Sequence, residues 1–150
     1  ANGKNDPSFD FYSKLNKKIY VSGDALIMLL DTEVPMFINI FQWEFNKNNI
    51  FNAKATKIFP NKYDKNNHIK NKIYIPKKSE IKKNSYELKI SNNKKITDQD
   101  YAIEYIYIIA TKYDINFRNY YLVSELKSKI NEINLGERRE RSHIYKILLR

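Results

Sequence analysis

The chain has 150 residues, 42% of them hydrophobic, which suits one domain around one core and excludes a disordered tail. No apolar run reaches the ~18 residues of a membrane-spanning helix. With no cysteine and only two histidines, His68 and His143, a disulfide framework, a thiolate metal site and a cysteine nucleophile are excluded.

In chain order, Ala1–Asp10 is polar and turn-rich, and residues 1–12 read as a flexible arm before a single domain over 13–150. Lys18–Val21 is the first strand, closed by Ser22-Gly23-Asp24. Ala25–Leu30 is an apolar run of strand length, interrupted by Asp31–Glu33 and Pro35. Met36–Trp43 is apolar on both alternating faces, the pattern of a central strand. Asn46–Asn49 reads as a hairpin connection. Ala53–Phe59 is a strand stopped by Pro60-Asn61, and Lys62–Asn71 a polar loop. Lys72–Ile75 is a strand closed by Pro76, and Lys77–Asn84 a charged link. Tyr86–Ile90 alternates as a half-buried strand, and Ser91–Asp100 is a polar turn region. Tyr101–Thr111, rich in Ile and Tyr, is expected to be a core strand. The period then changes: Val123, Leu126, Ile130 and Ile133 form a helical stripe, with Gly136 as the expected stop. Glu137–Arg150 fits either strand or helix. About seven short strands and a helix predict a mainly β fold, an antiparallel β-sandwich or partly open barrel with a C-terminal α-helix.

The net charge of +10 comes from 22 Lys and 5 Arg against 17 acidic residues. Asn, Ile and Lys together fill 62 of the 150 positions, the bias of AT-rich codons, so the charge reads as genome composition more than as selection for a polyanion. Lys17-Lys18, Lys77-Lys78, Lys82-Lys83 and Lys94-Lys95 fall in separate turns. Only Arg138, Arg139 and Arg141 cluster, and these three are the candidate anion contacts.

Three glycines in isolation exclude a G-x-G-x-x-G loop or a P-loop. No serine lies in a nucleophile elbow, and Ser142-His143 are neighbours that do not aim at each other. Glu125-Leu126-Lys127 matches half of a metal-dependent nuclease signature, but on a helix i and i+2 point apart. His68 or His143 as a general base, and Tyr63, Tyr74 and Tyr86 as a stacking platform among lysines, are the remaining routes to nucleic-acid chemistry or binding. The reading is therefore of a non-enzyme with no catalytic, metal or cofactor-binding residues. A nucleic-acid-binding domain and a small basic metal-dependent nuclease toxin are the alternatives.

The more specific pattern is Lys57-Ile58-Phe59-Pro60-Asn61-Lys62-Tyr63, followed by Ile73-Tyr74-Ile75-Pro76. Gly23-Asp24 and Phe37–Phe41 precede it, and Glu104–Thr111 follows. Over about residues 19–111 this resembles the bacterial domain-of-unknown-function family 4384, with its Gly-Asp start, Phe-Pro-Asn turn, Ile-Pro strand end and final strand closing in Ala-Thr. The chain departs from it at Ala102-Ile103-Glu104, where the family often has Gly. The resemblance implies structural roles for Gly23, Asp24, Phe59, Pro60, Asn61, Tyr63 and Pro76. It also implies an accessory domain of envelope proteins. The strands Pro35–Gln42 and Tyr107–Thr111 are similar to those of type VI secretion outer-membrane lipoproteins, and Ala1-Asn2-Gly3 fits a position after a lipidated cysteine. These likenesses imply a periplasmic domain anchored to the outer membrane, part of a secretion system or a flagellar or appendage assembly. Its partners would be other proteins of that machine, without nucleic acid, and its membrane contact only an N-terminal lipid anchor.

Overall fold

A computed structural model describes residues 7–45, 53–76, 88–89 and 101–148. Among them are twelve strands and one α-helix, in a mainly β, sandwich-like fold. The larger sheet has the order β11 (Tyr120–Leu122), β6 (Lys54–Phe59), β5 (Met36–Glu44), β10 (Tyr101–Thr111), β12 (Arg138–Leu148), β2 (Ile19–Val21), with β7 (His68–Ile69) also on β5. The smaller sheet is β1 (Phe11–Leu15), β4 (Met28–Thr32), β8 (Lys72–Ile75). A short pair joins β3 (Ala25–Leu26) to β9 (Leu88–Lys89).

The alternation of apolar side chains builds two cores on the two faces of the larger sheet. Ile38, Ile40, Ile106, Ile108 and Ala110 pack with Phe11, Met28, Leu30 and Ile75 of the smaller sheet. Phe41 and Ile109 point the other way and pack with Phe117, Tyr121 and the Val123, Leu126 and Ile130 stripe of α1 (Val123–Asn131). The expected central strand, β5, lies between β6 and β10, and the register of β5 and β6 shifts between Ile40 and Phe41.

Several expectations are corrected. Residues 9–12 do not behave as an arm: Phe9 and Phe11 are buried at 2% and 3% exposure, and Phe11 opens β1. Ala25–Leu30 is two strands, because the Ile27 N–H turns to the side chain of Asn16. His68–Ile69, placed in a polar loop, pairs with Met36–Phe37, and Tyr120–Leu122 forms β11 ahead of the helix. The helix ends at Asn131, and Gly136 belongs to a 3-10 turn, Leu135–Glu137. The undecided tail is a strand over Arg138–Leu148. Asn46–Asn49, Lys77–Asn84, Ser91–Asp100, Tyr86 and residues 1–6 lie outside the described residues.

The β2–β12 pairing is parallel, against the antiparallel expectation. The cause is a strand that changes sheets. β1 runs beside β12, linked through Asp10–Arg141 and Ser13–His143, but its backbone pairs with β4. At the corner, Asn16 donates to the Ala25 carbonyl and accepts from the Ile27 N–H and the Tyr20 hydroxyl. The chain then enters the larger sheet as β2.

The motif residues serve the fold. Phe59 is fully buried, and Asn61 accepts from the N–H groups of Tyr63 and Asp64 while donating to the Ile58 carbonyl. The Phe59–Pro60 and Ile75–Pro76 bonds are cis, and Pro76 is buried. Gly23 takes a positive φ of 92° that a Cβ would strain. Beside it, the Val21 N–H and then Lys17 hold the Asp24 carboxyl below its ordinary value. Phe59→Ala is expected to lower stability by ~3–5 kcal/mol. Tyr113→Ala, on a side chain 64% exposed, should stay within ~0.5 kcal/mol. Denaturant melts of the two variants check this.

Candidate functional site

β12 separates the three arginines. Alternation puts Arg138 on the helix side of the sheet and Arg139 and Arg141 on the side of β1. The Arg138 guanidinium donates to the Ile130 and Ile133 carbonyls at the end of α1 and pairs with Glu140 at 3.0 Å. It therefore fastens helix to sheet. Arg139 lies over the Phe9 ring and Arg141 over Phe11, and Arg141 also pairs with Asp10. Their guanidinium groups also reach the strand's own backbone: Arg139 donates to the Arg138 carbonyl at 2.7 Å and Arg141 to that of Glu140 at 2.8 Å. The candidate anion cluster is thus divided between two faces, and each member has partners within the chain.

Ser142 and His143 point to opposite faces. The histidine instead meets Ser13 of β1, with Nε2 2.7 Å from the hydroxyl. Burial pushes the imidazole below its ordinary value. On the same side of the sheet, Tyr145 donates to Glu104 at 2.7 Å and Gln42 donates to both, a polar bridge across three strands. Burial and the Glu104 carboxylate push the Tyr145 phenol up. Glu125 accepts the Leu122 N–H at 2.9 Å and so caps α1. His68 stacks on Phe37 at 4.3 Å. Tyr63 lies in the turn after β6 and Tyr74 on β8, on separate elements, and Tyr86 lies outside the described residues. Among the described residues no three His, Asp or Glu side chains gather as a metal site, and no helix is long and apolar enough to cross a membrane.

Pattern reading missed a cleft of about 560 Å³ along β11. Its wall runs from Arg118 to Leu122, with Lys54 of β6 and Glu125 of α1. Among the described residues β11 is the last strand of its sheet. The bonds from Lys57 N–H to the Asn119 carbonyl and from Val123 N–H to the Ala53 carbonyl fix its inner side. By alternation the Tyr120 N–H and C=O point outward into the cleft. Tyr120 is 59% and Leu122 41% exposed, while Tyr121 between them is buried. Lys54 sits over the Tyr120 ring at 4.2 Å and Arg118 over Tyr121 at 4.3 Å. Lys57 donates to the Phe117 carbonyl from a partly buried position that holds its ammonium below its ordinary value, which anchors the loop entering β11. The sequence signal was present in Tyr120-Tyr121-Leu122, an alternation too short to stand out beside the helical period that follows.

Comparison with family models, curated proteins and solved structures finds no match.

Two predictions follow from these contacts. Arg138→Ala should cost about 2 kcal/mol, because it strips two helix-end carbonyls and leaves Glu140 half-buried beside Tyr107. Arg139→Ala should cost less than about 1 kcal/mol; urea titration separates the two. For His143, folding holds the neutral form below the usual ~6.5, so the unfolded chain takes up the proton first as pH falls. Stability should therefore fall as pH drops through about 6.5 and on toward the lowered folded value. Melts of His143→Gln across that range should show a shallower fall.

Proposed function

We propose that the chain is a non-enzymatic binding or scaffold domain of a bacterial cell-envelope protein. In this reading it is an outer-membrane lipoprotein component of a secretion system or of a flagellar or appendage assembly. It works in the periplasm, and its partners are other proteins of that machine. The envelope part rests on the Phe-Pro-Asn and Ile-Pro pattern and on the strand likeness to secretion lipoproteins. The binding part rests on one observation above all, the cleft along the outer side of β11. There a sheet edge that no described strand extends, exposed Tyr120 and Leu122, and the cations Lys54 and Arg118 lie together. Such an edge suits recognition of another polypeptide. Side chains that are chemically capable elsewhere are here engaged in folding: Glu125 caps a helix and His143 bonds Ser13.

A photo-crosslinking residue at Asn119, whose side chain is exposed on the rim of the cleft, tests the reading in cells carrying the full gene product. The expected result is a discrete adduct with an envelope protein, recovered in the membrane fraction. An adduct only with nucleic acid, or recovery of the protein in the cytosol, would overturn it.

A further inference from the structure

We propose that the cleft along β11 receives an extended acidic segment of a partner protein, which adds to the larger sheet as a strand beside Tyr120. This rests on the binding-domain reading and specifies its ligand. Three observations carry it. First, the cleft follows a strand edge, and Tyr120 offers one N–H and one C=O toward it, the pair that an incoming strand engages. The Leu122 N–H is already taken by Glu125, so pairing centres on Tyr120. Second, the two sides of the cleft differ. Tyr120, Leu122 and the Lys54 stem form an apolar side, while Arg118 lies on the Tyr121 and helix side. A residue paired with Tyr120 shares its face, and the residues on either side of it point toward Arg118. The fitting segment therefore alternates apolar and acidic residues. Third, the charge is complementary. Arg118 is 61% exposed and its ion pair with Glu125 is long, 3.6 Å to one carboxylate oxygen while the other accepts the Leu122 N–H, so with Lys54 the cleft sets two cations against one carboxylate. On a chain of net charge +10, the rim cations Lys54 and Arg118 disfavour a second copy of the same protein and favour an acidic partner.

The test uses the whole chain and capped heptapeptides alternating Asp and Val, read by amide chemical shifts. The Asp–Val peptide is expected to move the resonances of Tyr120 and Leu122. Its Asn–Val counterpart, and the Arg118→Gln protein with the Asp–Val peptide, should each bind about fivefold more weakly. N-methylation of the central Val removes the N–H aimed at β11 and should cost about tenfold. N-methylation of a neighbouring Asp, whose N–H points away, should cost little. These peptide variants leave the protein unaltered, so misfolding cannot imitate the result. Equal binding of Asp–Val and Asn–Val, equal binding after Val N-methylation, or shifts confined to other residues would overturn the proposal. So would an oligothymidylate that moves the Tyr120 resonance when the peptides do not. If peptides fail while the Asn119 cross-link still captures an envelope protein, the acidic-strand proposal falls and the binding-domain reading stands; failure of both removes both.

Discussion

β10 is paired on both edges over most of its length and buried on both faces toward its end, from Ile106 to Thr111. Over Tyr101–Thr111 it pairs with β12 along its whole length on one side, and with β5 from Glu104 to Thr111 on the other. Ile106, Ile108 and Ala110 are covered by the smaller sheet, and Ile109 by the helix layer. Buried backbone must be hydrogen-bonded, so β5 and β12 have to be long enough to match it. That requirement explains why the basic, outwardly polar tail is a strand. Its alternate residues Tyr145 and Ile147 are buried, Arg138 reaches the end of α1, and Arg141 pairs with Asp10 just ahead of β1.

The polar groups at the core margins then fix which element lies where. Arg138 binds the end of α1 to the sheet, while Gln42, Glu104 and Tyr145 join β5, β10 and β12. On the opposite sheet, Asn16 turns the corner that lets one chain segment serve both layers. Each of these contacts spans elements remote in sequence, so each adds specificity that apolar burial, which is non-directional, does not supply.

These long-range contacts also mark the limit of what the sequence made legible. Met36–Trp43 and Tyr101–Thr111 were readable as central strands because both faces are apolar, and Val123–Ile130 because its stripe has a helical period. Phe59, Pro60 and Asn61 were readable as a turn because its chemistry is local. The arm was misread because Phe9 and Phe11 are isolated apolar residues among polar ones, and only β12 and the smaller sheet give them a place. Arg138–Leu148 stayed ambiguous because its polar and apolar residues do not sort cleanly by face: Ile144 is exposed while Arg138 is held at the end of α1. The β11 cleft was invisible for a related reason: Lys54 and Tyr120 are 66 positions apart by number and meet only through sheet pairing.

The guanidinium groups lying along the outer side of β12 have a consequence for how the protein behaves at high concentration. Open strand edges are the places where β proteins zip onto their own copies. On β12 the Arg138 and Glu140 carbonyls are already occupied by Arg139 and Arg141. A second molecule aligning there would have to displace both arginines and bring its own against them. With these two carbonyls engaged, and β1 and β2 alongside the rest of the strand, growth into fibres from this edge is disfavoured even where the chain is crowded.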